Sequence, residues 1–144
     1  MPPVRIALIH ALTHSIVPIN SAFEQMWPEA ARQNLLDDSL STDLAANGAT
    51  LDEAMHQRFT TLADYAVSTG AQAILFTCSA FGSCIERVAR QHATIAVLKP
   101  NEAMIAEAAA TGQQIGLIAS FAPTLVSMPQ IGRASCRERV LMPV

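Results

Sequence analysis

Apolar residues in this chain fall in short continuous runs, separated by longer stretches with a helical period. "VRIALIH" (Val4 to His10) is aliphatic almost throughout and predicts a buried strand. The polar loop "HALTHS" follows, and Pro18 suits the first position of a helix that reaches Met26 and stops at Trp27-Pro28. "QNLLDDSL" predicts a second strand over Asn34 to Leu36, running into a polar end at Asp37, Asp38 and Ser39. "STDLAANGAT" reads as a turn punctuated by Asn47-Gly48. The next helix carries the clearest signature. Thr50-Leu51-Asp52-Glu53 spells a capping box, Leu51, Met55, Phe59, Leu62 and Ala66 recur at helical spacing, and Gly70 is placed to end it.

The alternation continues. "AQAILF" predicts a third strand, and Ser83-Cys84-Ile85-Glu86 a second capping box opening a helix to about His92. "TIAVL" predicts a fourth strand, Asn101 caps the helix "EAMIAEAAA", and Gly112 stops it. "QIGLIAS" reads as a further strand, with Pro123 beginning another helix. Strands alternating with helices through short links make βαβ units and a parallel sheet. Such a sheet is covered on both faces, which accounts for strands that are apolar without a break. Ligands bind beyond the carboxyl ends of its strands. That rule nominates Thr13, His14 and Ser15, then Asp37, Asp38 and Ser39, then Thr77, Cys78 and Ser79, and finally Ser120 and Thr124.

Composition narrows the class. With 144 residues, half of them hydrophobic and 15% charged, the chain can bury a core of its own. A net charge of −3 without a basic stripe argues against a nucleic-acid partner. No apolar run approaches the roughly 18–20 residues that span a bilayer, and "MPPVRIALIHAL" reads as a first strand and not as a signal peptide. Three irregularly spaced cysteines form neither a disulfide framework nor a metal pattern, so a reduced cytoplasmic setting is expected.

The C-terminus departs from the rest. Arg133, Arg137 and Arg139 lie within seven residues, whereas the preceding 130 residues hold only six of the nine Lys and Arg. The DNA string ATCGGAAGAGCGTCGTGTAGGGAAAGAGTG, which resembles a short-read sequencing adapter, translates to the "IGRASCRERV" of Ile131 to Val140. Residues 131–144 are accordingly read as a non-native tail, and the natural reading frame is expected to continue past Gln130. Three Arg and one Glu in that tail, set against the whole-chain charge, leave −5 for the first 130 residues. Cys136 falls out of consideration with the tail.

Cys78 is the chemical focus. It follows the third strand directly and precedes a helix, and a helix N-terminus carries partial positive charge that lowers a thiol pKa and can hold a carboxylate. A small buried core residue is the equally physical alternative. Cys84, inside the helix and flanked by apolar positions, reads as packing. His10 at a strand end reads as structural, and His56 and His92 as ordinary surface residues. Asp37-Asp38 reads as a solvated turn cap. Glu102 sits in the first turn of its helix, and Lys99 is a solvated strand-end cation or a substrate contact.

"ILFTCSAFG" followed by a helix resembles the first cysteine motif of the Asp/Glu/hydantoin racemase superfamily. "IGLIASFAPTLVSM" resembles that family's second-domain opening, "VRIALIHALTHSIVPI" its first strand and polar loop, and "VLKPNEAMIAEA" its interdomain crossover. The resemblance covers nearly all of Val4 to Met128. Ser79-Ala80 stands where glutamate racemases have Asn-Thr, which points to an uncharacterised branch and leaves the amino-acid specificity open.

The resemblance implies a flavodoxin-like or Rossmann-like α/β half: residues 1–112 as the first domain of a pseudo-symmetric two-domain fold, and 113–130 as the start of the second. It implies two cysteines on opposite sides of a substrate α-carbon and no cofactor or metal. Cys78 matches the first cysteine, Thr77 and Ser79 its carboxylate-binding neighbours, and Ser120 and Thr124 the second-domain hydroxyl loop. Thr13 and Ser15 match the first loop; His14 in that loop reads either as a plain surface residue or as a group that assists or orients the substrate. The second cysteine would lie downstream of Gln130, so the chain as written is expected to be inactive. The implied partner is a small carboxylate, and the full-length form would be a homodimer. Decarboxylation or cis–trans isomerisation within the superfamily remains an alternative, as does a non-catalytic carboxylate-binding or thiol-sensing domain.

Overall fold

The computed structural model describes residues 2–112, 115, 116 and 118. The expected strand "QIGLIAS" and the helix at Pro123 fall largely or wholly outside them, and so do Ser120, Thr124 and the basic tail.

Four strands run parallel: β1 (Arg5–His10), β2 (Ala31–Leu36), β3 (Ala73–Phe76) and β4 (Ala96–Leu98), in the spatial order β2-β1-β3-β4. Five helices flank the sheet among the described residues: α1 (Ile16–Met26), α2 (Ser39–Ala46), α3 (Glu53–Ser68), α4 (Gly82–Gln91) and α5 (Glu102–Thr111). The order is that of a doubly wound, flavodoxin-like half. It reverses direction between β1 and β3, the topological switch point where such sheets leave a crevice.

Strand alternation sorts the core into two layers. Ala7, Ile9, Ile74 and Phe76 face one side, where they meet Leu40 and Leu44 of α2, Met55 and Phe59 of α3, and Ile85 and Val88 of α4. Phe59 is the centre of this layer, with ring centroids 5.3 Å from Phe76 and 4.9 Å from Phe81. Ile6, Leu8, Ala73 and Leu75 face the other side, toward Ile19 and Phe23 of α1. β1 and β3 are central and covered on both faces, which their unbroken aliphatic runs require.

Several boundaries differ from expectation. "STDLAANGAT" is not simply a turn: Ser39–Ala46 forms α2, and Asn47-Gly48 follows it. Leu40 and Leu44, four residues apart, are both buried and anchor it. β2 starts at Ala31, three residues before Asn34, because parallel pairing with β1 extends over Arg5 to Ala7 whatever the polarity of Arg32 and Gln33. β3 is shorter than "AQAILF", and β4 holds only the last three residues of "TIAVL". α1 begins two residues before Pro18.

Neither capping box forms. Asp52, not Thr50, caps α3, its carboxylate accepting the Met55 N–H at 2.9 Å. Ser83 lies inside the first turn of α4, and Phe81 occupies its cap position with no side-chain bond. Asn101 does precede α5, but in a left-handed conformation (φ 65°) and without a capping hydrogen bond. Gly70 ends α3 as expected, at φ +87°, and Gly112 terminates α5.

Candidate functional site

The loop after β1 and the end of β3 meet at the switch point. Backbone pairing continues past the strands, with the Thr77 N–H donating to the Ile9 carbonyl at 3.0 Å and the Asp37 N–H to the His10 carbonyl at 3.0 Å. This brings three of the nominated strand ends to one edge. Ser15 and Thr77 come together there, their hydroxyl oxygens 3.2 Å apart.

Beneath them lies His10, whose place at a strand end marks it in the sequence as structural. His10, fully buried, places Nδ1 2.9 Å from Thr77 Oγ1 and 3.1 Å from Ser15 Oγ, and Nε2 2.9 Å from Asn34 Oδ1. Burial pushes its pKa down, while the hydrogen bond to Asn34 pulls the other way, and the net direction is downward. The ring is therefore held neutral. Asn34 on β2 pairs in turn with Asn20 on α1, whose Nδ2 donates to Asn34 Oδ1 at 2.8 Å. The available sequence signal was a polar residue at the end of an aliphatic strand, but its partners lie 5, 24 and 67 positions away.

Ser15 and Thr77 open onto a cleft of about 800 Å³ between α1 and α5, over β3 and β4. Pro18, Ile19, Leu75, Leu98 and Met104 make much of its wall apolar. Lys99 and Glu102 lie on its rim, with Lys99 Nζ held 2.7 Å from Glu86 Oε1.

Cys78 is elsewhere. Thr77 and Cys78 continue the extended run of β3, so their side chains alternate. Cys78 packs against the α2–α3 layer, sharing its surroundings with Ile9, Ala11, Leu40, Phe59 and Phe76. The expected lowering of its pKa does not occur. Burial pushes the thiol up, and the Ala80 N–H offsets this only in part. The physical reason is position: Cys78 precedes a short 3-10 turn, Ser79–Phe81, and α4 starts only at Gly82. Cys84 is fully buried on α4 and pushed up to about 12, chiefly by burial, in keeping with a packing role.

The other nominated residues divide. Thr13 and His14 occupy an exposed 3-10 turn and are not part of the cleft wall. Ser79 is half-buried in the turn after Cys78. Asp37 accepts from Ser39 N at 3.2 Å and Ser39 Oγ at 2.6 Å and pairs with Arg58 at 2.6 Å, which is a turn and ion-pair role. Among the described residues no cluster of His, Cys, Asp or Glu is arranged to hold a metal, and no helix is long and apolar enough to cross a membrane.

No family model matches the chain. No curated protein matches it either.

Proposed function

We propose that this chain is part of a racemase-like enzyme acting on a small carboxylate, with Cys78 as one of its two acid/base residues. The observation that supports this most is the convergence of Ser15 and Thr77 at the β1/β3 switch point, next in sequence to Cys78. Two hydroxyls 3.2 Å apart suit a carboxylate, which accepts hydrogen bonds at both oxygens. The same donors would stabilise the enediolate-like charge that develops when the α-proton leaves.

The thiol's character selects its role. A group held protonated by burial is suited to returning a proton, not to removing one. Cys78 is thus the acid in this reading, and the base is the second cysteine expected beyond Gln130. Since Thr77 and Cys78 face opposite sides of the sheet, the substrate must lie across the rim above β1 and β3. A ligand deep in the cleft would meet Ser15 and Thr77 but not Cys78.

The half-buried, apolar packing of Cys78 favours one competing reading, a carboxylate-binding domain without thiol chemistry. Decarboxylation or isomerisation of a diacid would use the same hydroxyls and thiol. The discriminating measurement is exchange of α-protons into deuterated solvent for a panel of free amino acids. It uses the protein extended through its natural reading frame and the Cys78→Ala variant. Equal inversion of a single enantiomer by both proteins, read alongside the exchange, would sink the assignment of Cys78. Carbon dioxide release from a malonate without exchange would move the reaction to decarboxylation.

A further inference from the structure

We propose that Ser15 is a nucleophile, with His10 as its general base and Asn34 as the residue that positions the ring, and that this hydroxyl takes acyl groups from small apolar esters entering the cleft. The inference rests on the hydrogen-bond geometry and not on the racemase reading.

The proton inventory leads to it. Asn20 Nδ2 donates to the Ile16 carbonyl at 2.8 Å, which fixes the direction of the Asn20 amide. Its second Nδ2 hydrogen then meets Asn34 Oδ1, and Asn34 Nδ2 donates back to Asn20 Oδ1 at 3.3 Å. With Asn34 oriented in this way, its oxygen faces His10 Nε2 at 2.9 Å, so that nitrogen carries the hydrogen. In a neutral ring Nδ1 is then a bare acceptor, aimed at Ser15 and Thr77. A nucleophile within hydrogen-bond reach of a base, and a base oriented by a third group, is the arrangement that activates hydroxyls in acyl transfer.

A histidine that served only the core would need one donor at Nδ1. Here two hydroxyls compete for it, and both border the cleft. Ser15 is the better nucleophile of the two because its hydroxyl is primary. Its hydrogen has two acceptors in reach, the Leu12 carbonyl at 2.7 Å and His10 Nδ1 at 3.1 Å, and rotation about Cβ–Oγ moves it between them. Ser15 also occupies the position before α1, its side chain making no capping bond, and the amino-terminal partial charge of that helix favours the negative charge that develops on the ester carbonyl oxygen during attack.

The chemistry balances without a further reactant. Ser15 Oγ bonds to the ester carbonyl carbon as its proton passes to His10 Nδ1. The carbon–oxygen bond to the alcohol breaks, and His10 returns the proton to the departing oxygen. Water repeats the sequence on acyl-Ser15 and releases the acid. Pro18, Ile19, Leu75 and Leu98 would hold an apolar acyl or alkyl group.

The test uses the 144-residue chain with p-nitrophenyl acetate as probe, following p-nitrophenolate release and locating the acetyl group by peptide mass spectrometry. We expect acetyl on Ser15, none there in Ser15→Ala, and acylation slowed on the order of 100-fold in His10→Gln. His10 is buried, so that variant can fail by unfolding. Asn34→Asp gives an independent readout, because a carboxylate beside Nε2 raises the base's pKa and moves the rise of rate with pH to higher pH. Acetyl on Cys78 or a lysine, release unchanged by Ser15→Ala, a pH profile unmoved by Asn34→Asp, or no acylation at all would each overturn the proposal. Each of these outcomes leaves α-proton exchange, the test of the racemase reading, unaffected.

Discussion

Thr77 and Cys78 share a peptide bond but serve opposite faces of the sheet: Thr77 Oγ1 lies 2.9 Å from His10 Nδ1 beside the cleft, while Cys78 packs among Leu40, Phe59 and Phe76. The hydroxyl and the thiol therefore see different environments. The cleft side is open and offers hydroxyls within a largely apolar wall, and the thiol side is apolar and closely packed. Alkylation follows the thiolate, so this difference is measurable. With iodoacetamide, Cys78 should react more slowly than a free thiol at neutral pH, and its rate should rise only in the alkaline range. Cys84, pushed up to about 12, should stay unmodified in the native protein across that range. Peptide mass spectrometry after timed labelling separates the two sites. Fast labelling of Cys78 at neutral pH would show an activated thiolate and contradict the burial argument.

His10 should give the fold a stability that depends on pH near neutrality. Its folded-state pKa is lowered by burial, so between that value and the unfolded value of about 6.5 the unfolded chain binds the extra proton. Stability is then complete above about pH 6.5 and falls as the pH drops below it. Urea midpoints measured from pH 8 to pH 5 should decline, and His10→Gln should flatten that decline while lowering stability overall. A midpoint that rises on acidification would mean that the ring gains a proton on folding.

The sheet and the long helix were legible in the sequence, and the polar network was not. Aliphatic runs at Val4 to His10 and Ala71 to Phe76 mark central strands because both faces are covered. Among the described residues β2 is an edge strand with one neighbour, so Arg32 and Gln33 can remain polar within it and blur its start. α2 carries a weak sequence signal because only Leu40 and Leu44 mark its inner face and the turn-forming Asn47-Gly48 follows it directly. The capping boxes fail for local reasons: Asp52 lies immediately before α3 and reaches Met55 N first, and α4 starts at Gly82, which leaves Ser83 inside its first turn. Strand-end residues could be nominated from order alone, which brought Ser15 and Thr77 onto one candidate list. That His10 and Asn34 join them depends on register, and the pairing of Leu8 with Asn34 and Leu75 is set by the assembled sheet. No local pattern encodes it.

Arg58 links the end of β2 to α2 and α3, with Nη2 2.6 Å from Asp37 Oδ2 and Nη1 2.5 Å from Asp43 Oδ2. Burial alone would raise the Asp37 pKa, but hydrogen bonds from Ser39 and Arg58 and the Arg58 charge outweigh it and hold the carboxyl below its usual range. The sign is opposite to a raised carboxylate: the stabilisation is present above the unfolded pKa of about 3.9 and is lost as the pH falls through the lower folded value. Arg58→Leu should cost about 1 kcal/mol at neutral pH, because the groups are partly solvated. The same substitution should cost progressively less below about pH 4. Urea titrations of both proteins at pH 7 and pH 3 test this, and an equal loss at the two pH values would assign the effect to packing of the Arg58 stem.

Two left-handed positions should respond to substitution with opposite signs. Gly70 closes α3 at φ +87°, its N–H donating to the Val67 carbonyl at 2.9 Å, and an added Cβ would lie 3.7 Å from Arg5 Nη1. That is ordinary contact, so Gly70→Ala carries only the backbone penalty of about 1 kcal/mol, a fall in Tm of roughly 3–5 °C. Ala49, after α2, already sits at φ 60° with its N–H donating to the Leu44 carbonyl at 2.9 Å. Ala49→Gly relieves that strain and gives part of it back as unfolded-chain entropy, for a net gain of a few tenths of a kcal/mol. Thermal melts of the two single variants and the double variant check both signs. The sites lie on separate turns, so the double variant should show the sum, and a loss of stability in Ala49→Gly would mean that the methyl group packs more than its conformation costs.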